Sequence, residues 1–198
     1  MARTAPLARL DRRALEWPTA DPLILRELPF RARLLVRGHQ AELAVAAAAA
    51  GLALPERVGG RTASGTRRVL RLGPDRLVIL DEPGSETALA AALDAALADR
   101  PAAWVDLTEA MTTLRLEGPD AGARATLAEG CPLDLHPSVF PTGTAAASLY
   151  GRIPVWLEAI EGGGGRLVVE LQVDRSLAEH TLRHLALAAR EHGLVLPD

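Results

Sequence analysis

The sequence predicts an α+β fold made of two related halves, each in the β-α-β-β-α-β order of a ferredoxin-like unit. Three observations carry that expectation. Strand-like and helix-like stretches follow one another in nearly the same order twice, over about 28–110 and 111–193. Several strands alternate apolar and polar residues, as antiparallel strands with one covered face do. The helical stretches carry an apolar stripe, which suits helices laid on one face of a sheet.

Residues 1–27 read as a loosely ordered N-terminal arm. LPFRARLLVRG (28–38) predicts a strand ending at Gly38, and AELAVAAAAAGL (41–52) a helix of strong helix formers with a glycine at its end. ALPERVGGRTASGT is a polar, Gly-rich connection. RRVLRLG (67–73) and RLVILDE (76–82), joined by a Gly-Pro-Asp turn, predict a hairpin. The run Leu77-Val78-Ile79-Leu80 predicts burial on both faces. Ser85 is the expected N-cap of helix 86–99, where Leu89, Leu93 and Leu97 form one stripe. AAWVDLT (102–108) closes the first half.

The second half opens with TTLRLEG (112–118), with Leu114 and Leu116 inward and Arg115 and Glu117 outward. Pro119 suits the first position of helix 119–129. TAAASLYG and IPVWLEAI predict two strands. Gly162–Gly165 is a flexible turn into RLVVELQVD (166–174), whose Glu170 and Gln172 are expected to point away from the core. Ser176 and Glu179 form a capping box for the last helix, which runs to about His192. Residues 194–198 are a C-terminal tail.

Composition bounds the function. The chain has 198 residues, 48% of them hydrophobic, enough to bury a real core. The net charge of −3 argues against nucleic acid or an anionic membrane as the main partner. Every one of the 22 basic residues is arginine, so chemistry that needs a lysine amine is excluded. A single cysteine allows no internal disulfide and fits the cytoplasm. No signal-peptide core and no apolar run of membrane-spanning length is present.

EGCPLDLHPSVFPTG (129–143) holds the only cysteine, with Asp134 and His136 close behind and three prolines. Cys131 and His136 resemble a nucleophile and base. Prolines 132 and 137 are expected to hold the segment extended, which separates the two side chains by up to about 15 Å. Cys131 is therefore expected to be a small buried apolar residue. A structural zinc site needs about four ligands, and no second cysteine exists. His180 and His184 share a helix face but lack a third ligand, so they read as surface histidines. Asp81, Glu82 and Asp134 read as solvated loop acids. The glycine runs at 162–165 and at 59–60 precede strands, not helices, and so form no phosphate cradle; no dinucleotide fingerprint occurs. No catalytic, cofactor-binding or metal-binding residue is expected on this chain.

Four stretches carry a resemblance. RxLxLGPDRLVIL (68–80), VDLTEAMTTLRLEGPDA (105–121), LAEGCPLDLHPSVFPTG (127–143) and RSLAEHxLRHLALAAREHG (175–193) are similar, in that order, to the gamma subunit of heterotetrameric sarcosine oxidase. GCPLDLHP is the most specific part, and the match spans about 28–193. The resemblance implies a cytoplasmic complex of alpha, beta, gamma and delta chains. Such complexes oxidatively demethylate sarcosine, or a similar N-methyl amino acid, to glycine or its analogue. They produce hydrogen peroxide and pass the one-carbon unit to tetrahydrofolate. The resemblance also implies that FAD, FMN, NAD and the folate lie on other subunits, and that the gamma chain has no catalytic residue.

The chain also resembles, more distantly, the folate-binding domain of aminomethyltransferases. There a glycine-rich turn leads to an acid near the folate. Here the comparable run is LYGRIPVW (149–156), with Pro154, Val155 and Trp156 in place of the acid. Gly130-Cys131 is similar to folate-binding proteins that maintain iron–sulfur enzymes, but Glu129 stands for their lysine, and Pro132 and Leu133 for their polar residues. The alternative reading is a freestanding folate-binding, aminomethyltransferase-like protein.

Overall fold

The computed structural model describes residues 6–8 and 10–197. The chain divides into two units, one of residues 30–110 and one of residues 1–29 together with 111–198. The first strand, β1 (Leu23–Glu27), belongs to the second of these.

The 30–110 unit runs β2 (Ala32–Arg37), α1 (Gln40–Ala49), β3 (Arg61–Ser64), β4 (Arg67–Gly73), β5 (Arg76–Asp81), α2 (Glu86–Leu97) and β6 (Ala103–Asp106). Its antiparallel sheet has the order β3-β4-β5-β2-β6. Without β3 this is the ferredoxin-like order expected from the sequence. Leu77, Val78, Ile79 and Leu80 are all fully buried, so β5 is covered on both faces as its apolar run implies. Leu89, Leu93 and Leu97 pack on the core with Ala46, Ala47 and Ala50 of the α1 region. β3 lies within the Gly-rich stretch that the sequence presents as a connection. It has no apolar alternation because it is a half-exposed edge; its register on β4, from Arg61 opposite Leu70 to Ser64 opposite Arg67, makes it a strand. Ser85 starts α2 through its backbone carbonyl, which accepts from Leu89 N at 3.0 Å, and its hydroxyl turns back to Glu82 O instead of capping.

Asp81 joins four pieces of this unit. Its carboxylate accepts from Arg67 Nε at 2.7 Å, Thr66 Oγ1 at 2.9 Å and Glu82 N at 2.8 Å, while Arg67 Nη1 donates to Ala50 O at 2.9 Å. Burial pushes the Asp81 pKa up, but the hydrogen bonds from Arg67, Glu82 and Thr66 outweigh it and hold the carboxyl below its usual value of 3.8. Asp81 is thus a structural anion, not the solvated acid that its sequence position suggests. A depressed folded pKa contributes stability that is complete above the unfolded value and is lost as pH falls through the folded one. Asp81→Asn is expected to cost about 2 kcal/mol at pH 7. The difference from the parent should shrink as pH falls below about 4. Urea midpoints of both proteins from pH 7 to pH 3 check this; a constant gap would count against it.

The other unit continues with β7 (Met111–Pro119), α3 (Asp120–Ala128), β8 (Ala145–Tyr150), β9 (Ile153–Glu161), β10 (Arg166–Asp174), α4 (Ala178–Ala188) and β11 (Leu194–Val195). Its sheet order is β11-β1-β7-β10-β9-β8. The two units share one plan: β8 matches β3 as an added edge, and β9-β10-β7 matches β4-β5-β2. The difference lies at the fifth position, which β6 holds in the first unit. β1 pairs antiparallel with β7 there, and β11 is displaced one place outward, parallel to β1.

Residues 1–27 are therefore not simply an arm. Leu23 and Leu25 are fully buried, and Leu7 joins the same core. Residues 1–5 and 9 of that stretch lie outside the described residues, as does 198 of the expected tail, whose Leu194 and Val195 form β11. Docking β1 satisfies the backbone edge of β7 and buries two leucines, about 2 kcal/mol each.

Leu114 and Leu116 face the core as expected. Glu170 and Gln172 point away from that core, as expected, yet they are buried on the opposite face, 0% and 1% exposed. Partners within the sheet serve it: Arg115 Nη2 donates to Glu170 Oε1 at 2.6 Å, and Thr113 Oγ1 to Gln172 Oε1 at 2.7 Å. Pro119 ends β7 and stands just before α3, not inside it. The capping box also fails. Asp174 caps a 3-10 turn (Arg175–Leu177) ahead of α4, accepting from Ser176 N at 2.8 Å and Ser176 Oγ at 2.6 Å. The acid one turn earlier, already charged, is the stronger acceptor.

Candidate functional site

The 129–143 segment carries the densest set of chemically capable residues, and its geometry decides what they do. α3 ends at Ala128, and the amides of Gly130 and Cys131 both donate to Leu127 O, at 3.2 and 2.9 Å. Gly130 does not take the left-handed conformation. Space fixes its identity: a Cβ there would stand 2.8 Å from the Tyr150 ring. Asp134 accepts from His136 N at 2.9 Å, a local turn that Asp forms readily. Val139 N and Phe140 N then donate to His136 O at 2.9 and 2.8 Å. The segment bends at Leu133 and turns at 137–139. Proline fixes φ near −65°, which suits a turn as well as an extended chain.

Arg124, from the middle of α3, holds this loop. Its Nη1 donates to Leu135 O at 2.6 Å and to Phe140 O at 2.9 Å, and its Nε sits 3.0 and 2.9 Å from the two Asp120 oxygens. One guanidinium thus ties a helix to two points of the loop, which a point-charge ammonium cannot do with the same geometry. Nothing in the sequence marks Arg124 except its i,i+4 spacing from Asp120.

Cys131 and His136 have different environments. Cys131 is buried, with Sγ 3.7 Å from Ser148 Oγ. His136 is exposed, and its Nδ1 lies 2.7 Å from Ser138 Oγ and accepts from Ser138 N at 3.3 Å. His180 is exposed. His184 is half-buried, its ring 5.0 Å from Tyr150 and 6.5 Å from His180. Among the described residues, no three His, Cys, Asp or Glu are grouped to hold a metal. Tyr150 OH donates to Thr126 O at 3.3 Å. Burial, aided by Glu129 and Cys131, pushes its pKa far above the ordinary phenol, so it stays a protonated donor. At Gly151 the φ of +52° and the His184 ring close above it both require glycine.

Elsewhere, Gly163–Gly165 form a tight turn between β9 and β10, as expected. A cleft of the 30–110 unit, about 490 Å³, is open to solvent and lined by Arg37, His39, Asp75 and Arg100. Its Arg37 is already paired with Asp75 at 2.6 Å, which holds the Asp75 carboxyl below its usual range.

A family model described as the sarcosine oxidase gamma subunit family matches residues 37–191. A sarcosine oxidase gamma subunit from Arthrobacter sp. is 38% identical over 159 residues, 78% of this chain and 76% of its own. A chain of the heterotetrameric sarcosine oxidase from Corynebacterium sp. U-96, solved with pyrrole 2-carboxylate, superposes with a TM-score of 0.82 at 32% identity, covering 96% of both chains. The glycine cleavage system aminomethyltransferase T from Bartonella henselae superposes with a TM-score of 0.64 at 17% identity, over 99% of this chain and 52% of that one, which establishes a shared fold. By sequence and by fold, this chain belongs to the sarcosine oxidase gamma subunit family.

Proposed function

We propose that the chain is a non-catalytic, structural subunit of a sarcosine-oxidase-type complex. In this reading the complex oxidatively demethylates sarcosine, or a similar N-methyl amino acid, to glycine or its analogue. Peroxide formation and one-carbon transfer to tetrahydrofolate belong to other subunits. So do FAD, FMN, NAD and the folate. Its partners are alpha, beta and delta chains, in the cytoplasm. The observation that carries the reading is the full-length likeness to one chain of a heterotetrameric sarcosine oxidase. Local chemistry supports it: Cys131 is buried, His136 is engaged within its own loop, and Tyr150 is locked as a donor.

The alternative, a freestanding folate-binding protein, has the fold likeness in its favour. Exposed Pro154 and half-buried Trp156, in the run where the acid is expected, weigh against it.

Tagged chain purified from its native host should bring down flavin-containing chains, while the isolated chain should be colourless and bind no NAD by calorimetry. A yellow isolated chain would reverse the assignment. Cys131→Ser should leave turnover of the assembled complex within twofold and cost about 1 kcal/mol of stability. A hundredfold loss in an intact complex would make the thiol chemical.

A further inference from the structure

We propose that the outer edge of β8 receives an extended segment of another subunit, which adds a seventh strand to the six-stranded sheet. This rests on the reading of the chain as a subunit and names the surface that reading requires.

The hydrogen-bonding direction follows from the hairpin. β8 and β9 stay in unbroken register from Ala145 opposite Glu158 to Tyr150 opposite Ile153. Thr144 O accepts from Ala159 N at 2.9 Å, so even-numbered residues of β8 bond inward to β9. The N–H and C=O groups of Ala147 and Leu149 consequently point to the open edge, while Ala145, at the start of the strand, is fully buried within the chain.

Natural edge strands are protected by charges, prolines, bulges or shortness. Among the described residues, the four sheet edges differ in this respect. β11 has two residues, β3 contains Arg61, and β6 ends in Asp106. β8 has six residues, AAASLY, with no charge, no proline and no register shift. Its exposed face is apolar. Ala147 stands opposite Trp156 and Leu149 opposite Pro154, and all four are exposed or half-exposed, Leu149 by 43%. A partly buried tryptophan beside small residues is the composition of an interface centre.

The occupant is a strand from a different chain, not a second copy. The open stretch, Ala147 to Leu149, spans about 10 Å and a strip about 10 Å wide, so pairing two copies there buries at most a few hundred Å². Stable pairs need about 1,200 Å² or more. An edge this small suits a segment of a chain already held by other contacts, where main-chain bonds fix register and the Trp156 patch adds selectivity.

The test uses the complex reconstituted from co-expressed subunits. Ala147→Pro removes one outward N–H and leaves the β9 ladder intact. Ala147→Lys adds charge to the exposed face. Both isolated variants should melt within about 2 °C of the parent. Both should lose at least tenfold in retention of the chain during gel filtration of the complex. In the parent complex the amides of Ala147 and Leu149 should exchange at least tenfold more slowly than in the isolated chain. Full retention of both variants in a complex that keeps the parent chain overturns the edge assignment and leaves the subunit reading standing. A parent chain that never joins the complex overturns both. An isolated parent that dimerises, with the dimer lost in Ala147→Pro, assigns the edge to a second copy and also overturns the proposal.

Discussion

Arg124→Met is expected to destabilise the protein by about 3–4 kcal/mol and to lower its melting temperature by roughly 10 °C. The side chain is only 11% exposed and makes charge-assisted bonds to Leu135 O and Phe140 O. Methionine keeps most of the stem volume, so packing changes little. What is lost is the donor to two carbonyls, each worth about 1.5–3 kcal/mol when bonded to a charged group. Asp120 loses its partner too, but it is 41% exposed and sits in the first turn of α3, where water and the helix N-terminus still serve it. Arg124→Lys should recover only part of the loss, because one ammonium cannot reproduce the fork. Hydrogen exchange gives a local check: the amides of Val139 and Phe140, bonded to His136 O, should lose protection before the sheet does. A melting temperature within 2 °C of the parent would remove Arg124 from its role.

The elements legible in the sequence are those whose period is written in apolar residues. Leu89, Leu93 and Leu97 announce α2, and Leu114 and Leu116 announce the core face of β7. What escaped depends on partners far along the chain. β1 is five residues between prolines 22 and 29, and only its pairing with β7, about 90 residues on, makes it a strand. β3 is polar and half-exposed, so no periodicity marks it. Glu170 looks solvent-facing by alternation, yet lies buried against Arg115, because alternation states which residues share a face and not whether water reaches it.

The candidate segment shows the same division. Its position just after a helix was legible, and so was the burial of Cys131. The reason for Gly130 was not. A glycine after a helix ordinarily marks a left-handed cap. Here the Tyr150 ring, twenty residues later, occupies the space of a side chain. The prolines likewise state three φ angles and leave ψ to the rest of the fold, so they do not announce the turn at 137–139 that bonds Val139 N and Phe140 N to His136 O. Arg124 is not legible in the sequence because its loop partners are backbone carbonyls, which carry no sequence signature.

Phe140→Ala is the complementary substitution, removing the apolar anchor that Arg124 steadies from the other side. Phe140 is 5% exposed and packs in the core cluster that contains Leu127, Cys131, Leu135 and Tyr150. Truncation should cost about 3–4 kcal/mol, part from lost transfer free energy and part from the cavity. Val139, its neighbour, is 57% exposed, so Val139→Ala should stay within about 0.5 kcal/mol and serves as the control. The two anchors hold one loop, so their losses should not add. Once Phe140 is gone the loop frays, and Arg124 has less ordered carbonyl to bind. The double variant should therefore be about 1–2 kcal/mol more stable than the sum of the single losses implies. Urea denaturation of all four proteins measures that coupling. Strict additivity would mean that Arg124 and Phe140 stabilise separate structures and that the 129–143 segment is not a single unit.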